Sequence, residues 1–158
     1  MGKKDGFTLI EMMVTIGIIA ILSAIAVPNY ISHRNNQQVS RAAREIYSAL
    51  QSAKMSAIND NTTINVLFSP GTSSAGTYLV FEDANNNDAF DTALDRALSS
   101  GQMPPGVTMQ SAAFAGVASS TKFTPLGLTT GENGTVTVTN SHRTARVVVN
   151  TAGGIRVD

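Results

Sequence analysis

"KKDGFTLIEMMVTIGIIAILSAIAVPNY", residues 3–30, decides how the rest of the chain is read. Two lysines and a glycine precede an apolar run from Phe7 to Val27. That run is 21 residues long, and Glu11 is its one charged side chain. At about 1.5 Å per helical residue it matches the roughly 30 Å hydrocarbon core of a bilayer. Nothing later in the chain is apolar over such a length. The run predicts a single membrane helix followed by a domain outside the membrane. Lys3 and Lys4 flank its start, which predicts a cytoplasmic N-terminus. An ordinary secretory leader is the competing reading, because Ala24-Ile25-Ala26 has the small-x-small pattern of a cleavage site. A carboxylate inside the apolar region weighs against that reading. So does the helical pattern that resumes after Pro28.

Glu11 needs a physical reason. A carboxylate in lipid is costly and is usually partnered. No basic residue lies near it within the run. A cut after Gly6 would supply one, since Phe7 would then carry an amine that is mostly charged at neutral pH. Phe7 and Glu11 stand i and i+4 on one helix face. The start of a helix also favours negative charge. Glu11 is therefore expected to pair with its own terminus or with that of a neighbouring copy.

The stretch from Asp5 to Tyr30 closely resembles the N-terminus of type IV pilins and type II secretion pseudopilins. The resemblance implies a charged leader ending at Gly6. A prepilin peptidase would cut it and methylate Phe7. The family's essential glutamate falls on Glu11, and its helix-softening proline on Pro28. About 30 residues carry this resemblance, and they speak to export and assembly.

Beyond the run, Val39, Ala43, Ile46, Leu50, Ala53 and Ala57 recur at spacings of 4, 3, 4, 3 and 4. That is one helical face. Asn59-Asp60-Asn61 ends the pattern with residues that favour caps and turns. A membrane helix is thus predicted to continue as an amphipathic one, about 50 residues and about 75 Å in all. The remainder reads as strands at 62–68, 77–81, 135–139, 145–149 and 154–157, separated by Gly, Pro, Asn and Ser clusters. Residues 135–149 read as a hairpin. The fold class is α+β: a long N-terminal helix, half membrane and half amphipathic, packed on an antiparallel sheet head. This head resembles the GspH/FimT-type minor pseudopilins. The shared features are "SALQSAKMSAINDN", "YLVFEDANNNDAFDTALDRAL", "FTPLG" at 123–127 and a last hairpin ending "GGIRV".

Other residues invite chemistry. In the acidic loop 82–95, Asp83, Asn85 and Asn87 match positions 1, 3 and 5 of an EF-hand loop. The match fails at Asp88, where glycine is needed, and at Leu94, where glutamate is needed. Calcium would draw on Asp83, Asn85, Asn87, Asp88 and Asp91. The alternative is a solvated turn between a strand and a short helix. No other cofactor is suggested. His33 and His142 have no cysteine or second histidine at metal spacing, and no nucleophile elbow is present. An enzyme is not expected. Two or three of Arg143, Arg146 and Arg156 could share one edge of the head and contact DNA. With equal numbers of acidic and basic residues, the chain as a whole is not built to find a polyanion.

The organisation expected is a leader at 1–6, a transmembrane and assembly helix at 7–31 and a periplasmic head at 32–158. The function expected is that of a minor pilin or pseudopilin. Such a subunit is held in the inner membrane by one span and then built into a fibre. Its partners would be other subunits and the prepilin peptidase. The alternatives are a DNA-binding subunit for DNA uptake and a major fibre subunit.

Overall fold

The computed structural model of the protein describes residues 7–71, 75–115, 119–130 and 133–158. Gly6 and the rest of the leader lie outside the described residues. Helix α1 is 52 residues long, Leu9–Asp60, and Pro28 lies inside it. Proline has no N–H to offer the carbonyl four residues back, so Ala24 loses its helical partner there. The helix stops where the Asn cluster predicts. Asn61 takes a left-handed φ of 53°, and the Thr62 N–H donates back to the Ala57 carbonyl at 3.2 Å. Asparagine tolerates that backbone better than most side chains.

The chain divides into two compact units between Arg34 and Asn35. In the first unit, the large apolar side chains from Phe7 to Ile31 are exposed. In the second, the predicted stripe is the core. Val39, Ala43, Ile46, Leu50, Ala53 and Ala57 are all buried, joined by Ala42 and Ala49.

The head holds two antiparallel sheets where the sequence suggested one. The first has the order β3-β2-β1-β5, with β1 Ile64–Ser69, β2 Thr77–Glu82, β3 Arg96–Gln102 and β5 Ser120–Phe123. The second has the order β4-β6-β7-β8, with β4 Thr108–Phe114, β6 Gly134–Thr139, β7 Thr144–Val149 and β8 Ile155–Val157. One apolar cluster joins the α1 stripe to the inner faces of both sheets. Phe68 of β1 stacks on Phe114 of β4 with ring centres 5.7 Å apart, which couples the sheets.

Three strands went unread in the sequence: β3, β4 and β5. The short helix expected after the acidic loop is a turn that runs into β3. The hairpin at 135–149 is present as β6 and β7, with Thr139 opposite Thr144. Two of the loop motifs close on each other at the end of α1. A Cβ on Gly153 would collide with the Gly127 carbonyl, and both glycines have φ above +70°. Lys54 Nζ donates to the Gly153 carbonyl at 2.9 Å. "FTPLG" and "GGIRV" thus meet where only glycine fits, a requirement of packing.

Candidate functional site

The start of α1 is built by four residues. Thr8 precedes the helix, and its Oγ1 accepts the Glu11 backbone N–H at 3.3 Å. Glu11 Oε2 accepts the Thr8 backbone N–H at 3.5 Å. This is a reciprocal capping box, in which two side chains satisfy amides that the helix leaves unpaired. Glu11 therefore has a local partner before any cut at Gly6. Its signal in the sequence is Thr-x-x-Glu at Thr8-Leu9-Ile10-Glu11. Beyond the cap and up to Val27 the segment offers apolar side chains to its surroundings, apart from Ser23 and Thr15, whose hydroxyl donates to the Met12 carbonyl at 2.9 Å.

The acidic loop turns its oxygens inward on its own backbone. Asp83, which is buried, accepts the Asn87 and Asp88 N–H groups and the Asn65 side-chain amide at 2.9–3.3 Å. Asn85 Oδ1 accepts the Asn87 N–H and Asn87 Oδ1 that of Ala89. Asp91 Oδ1 accepts the Ala93 N–H. Asp95 holds both ends of the loop through the Ala84 and Asp91 N–H groups. Asp88 pairs with Lys122 of β5 at 2.7 Å. Its φ is 61° and that of Asn86 is 54°, which short polar side chains tolerate. Each of the five residues named for calcium already bonds a backbone N–H of the loop or, for Asp88, Lys122. Among the described residues, no three His, Cys, Asp or Glu side chains could hold a metal ion. Phe90 also seals Phe81 edge to face at 5.3 Å. The loop is a strap over the outer face of the first sheet.

Of the three arginines, Arg146 and Arg156 share a face of the second sheet, and Arg143 stands apart from them. In β7 the buried residues are Ala145, Val147 and Val149, so Arg146 points the other way, to the outer face of the second sheet. Arg156 lies opposite Val148 on the same outer face and pairs with Asp158 at 3.2 Å. Arg143 sits in the β6–β7 turn, and its Nη1 donates to Ser40 Oγ of α1 at 3.1 Å. Arg143 precedes β7 and turns to α1, whereas Arg146 lies within the strand.

A polar couple escaped the sequence reading. Tyr78 of β2 is buried, and its hydroxyl donates to Glu45 Oε1 of α1 at 3.2 Å. Burial pushes the phenol up to about 12, and the adjacent Glu45 charge and the hydrogen bond add to the rise. No local pattern marks this pair, because 33 residues separate its members. His33 is on α1 and His142 on the β6–β7 turn.

Comparison with known proteins gives a consistent result. The family described as Type II transport protein GspH matches residues 42–153. The prokaryotic N-terminal methylation motif matches residues 1–27. A fimbrial protein of Pseudomonas aeruginosa is 47% identical over 64 residues, 40% of this chain and 41% of the relative. The chain thus matches less than half the length of that relative. Among solved structures, the type IV minor pilin FimU of Pseudomonas aeruginosa superposes with a TM-score of 0.59 at 16% identity, covering 81% of this chain and 92% of that one. The minor pseudopilin EpsH of the Vibrio cholerae type 2 secretion system gives 0.54 at 11% identity, covering 77% and 96%. At these identities the two structures are similar to this chain in fold.

Proposed function

Because the chain belongs to the family of the type II transport protein GspH, we propose that it is a minor subunit of a type II secretion or type IV pilus fibre, built in through α1. One observation carries this reading: the two parts of α1 meet opposite fates. The stripe from Val39 to Ala57 is buried in the head, while the large apolar residues from Phe7 to Ile31 are exposed. A bilayer would cover them first, and the matching segments of neighbouring subunits afterwards. Residues 1–6 act as the leader, 7–31 as the membrane and assembly segment, and 32–158 as the head on the periplasmic side. The prepilin peptidase cuts after Gly6, and Phe7 becomes the methylated terminus. Glu11 then exchanges its hydrogen bond with Thr8 for the charged Phe7 amine of a neighbour. The softening at Pro28 lets α1 adjust as it leaves the bilayer.

The test is the intact mass of the chain extracted from the membranes of its native host. The expected chain lacks Met1 to Gly6 and carries one methyl group. Gly6→Val blocks the cut. A mature chain starting at Val27 would restore the secretory-leader reading and end this one.

A further inference from the structure

The second sheet leaves one stripe of α1 uncovered. Its last strand, β8, has only three residues. Beside it lies an open groove of about 360 Å³ between α1 and the sheet edge. Val157, 44% exposed, is the open apolar surface of the groove, with Ala43 and Ala145 buried behind it, and Tyr47 stands at one side. Arg44 and Arg143 stand over it. The bond from Arg143 to Ser40 fixes one guanidinium there. No carboxylate is among the described residues that line the groove. Two guanidinium groups beside an apolar surface make a complement to a chain that carries both acidic and apolar side chains.

The adjacent strand edge is also open. Arg146 and Asp158 exchange both backbone hydrogen bonds, at 3.0 and 2.8 Å. In an antiparallel ladder the bonded pairs alternate, so Arg156 also faces β7. The N–H and C=O groups of Ile155 and Val157 therefore face away from the sheet. They are the groups that an added strand would use.

We propose that this groove takes an extended acidic segment of a neighbouring fibre subunit, added as a fifth strand beside β8. Side chains two apart on that segment share a face. An apolar residue covers Val157, and a carboxylate on either side of it meets Arg44 or Arg143. Only the identity of the donor, a fibre subunit, rests on the function proposed above. The chemistry of the groove stands on its own.

The test uses the full chain in detergent micelles. The probe is an acetylated, amidated peptide, Glu-Thr-Val-Thr-Glu, with Lys-Thr-Val-Thr-Lys as its charge-reversed control. The acidic peptide is expected to slow amide exchange at Ile155 and Val157 while leaving Arg156 unchanged. The double variant Arg44→Glu/Arg143→Glu should weaken its binding at least about tenfold and accept the lysine peptide instead. Arg146→Glu, on the outer face, should change nothing. If the double variant loses its circular dichroism signal, Arg44→Gln/Arg143→Gln takes its place. Absence of slowing at Ile155 and Val157 overturns the proposal, as does equal binding of both peptides by the unaltered chain. Slowing by phosphatidylglycerol vesicles or a short DNA duplex, with none by the peptide, also overturns it and assigns the groove to that ligand. Cutting after Gly6 is scored on the same preparations. Normal cutting without peptide binding removes the groove proposal and leaves the fibre reading standing.

Discussion

The fibre reading gives Glu11 a second partner beside Thr8, and single substitutions separate the two. Thr8→Val removes the hydroxyl that receives the Glu11 amide, yet leaves the carboxylate free to meet a neighbour's Phe7 amine. Fibre incorporation should survive this change. Glu11→Leu removes both roles. It should improve partition into the membrane and abolish incorporation. The measurement is the amount of each variant in sheared fibres relative to the membrane fraction. Equal, wild-type levels for both variants would show that the carboxylate is tolerated and not used. Tyr78 makes a second prediction at this scale. Its phenol is raised to about 12 in the folded head, against about 10 in an unfolded chain. The folded state then holds the proton more tightly, so its contribution is complete below pH 10 and is lost as pH rises towards 12. The denaturation midpoint should fall between those values, and Tyr78→Phe should flatten that part of the profile. A fall of equal size in the variant would assign the loss to other groups. The capping box was legible as Thr-x-x-Glu. The Tyr78–Glu45 couple was not, because only the packing of β2 against α1 brings the two together.

At the scale of elements, the head half of α1 was read correctly because a buried helix face has a period that sequence preserves. Leu50 lies at the middle of that face and is fully buried. Leu50→Ala should cost about 2–5 kcal/mol of stability, read by chemical denaturation of the head. A cost below about 1 kcal/mol would place Leu50 outside the core and undo the packing described for α1. The hairpin of β6 and β7 was legible for a similar reason, since its buried residues alternate with exposed or half-buried ones along both strands. The strands that escaped lack this signature. In β3, an edge strand, no residue is buried, so nothing forces an apolar alternation. In β4 the register shifts between Met109 and Ser111, which breaks the period where it would have been counted. With only four residues, β5 is too short to show a period. The strap over the first sheet looked like a calcium loop because aspartate and asparagine serve both purposes. They bind cations, and they accept the N–H groups of tight turns.

At the scale of the whole molecule, the chain has no cysteine, so its head must stand on its apolar core. That core joins one helix and two sheets in a single cluster. A chain starting near Ser32 should therefore be soluble and monomeric, with a cooperative denaturation transition. Light scattering and calorimetry check this. Aggregation of the head alone would show that its surface needs the membrane segment or a partner. The division between an apolar anchor and a polar domain was visible in composition alone, whereas the splitting of the head into two sheets depended on contacts between distant strands. The strap carries one further consequence. Asp95 ties the Ala84 and Asp91 amides together, and Thr92, Ala93 and Leu94 are exposed at the tip between Asp91 and Asp95. Surface loops held at both ends accept inserted sequence well. A short epitope or dye-accepting tag placed between Ala93 and Leu94 would leave the core untouched. It would make the head a handle for watching individual fibres by light microscopy.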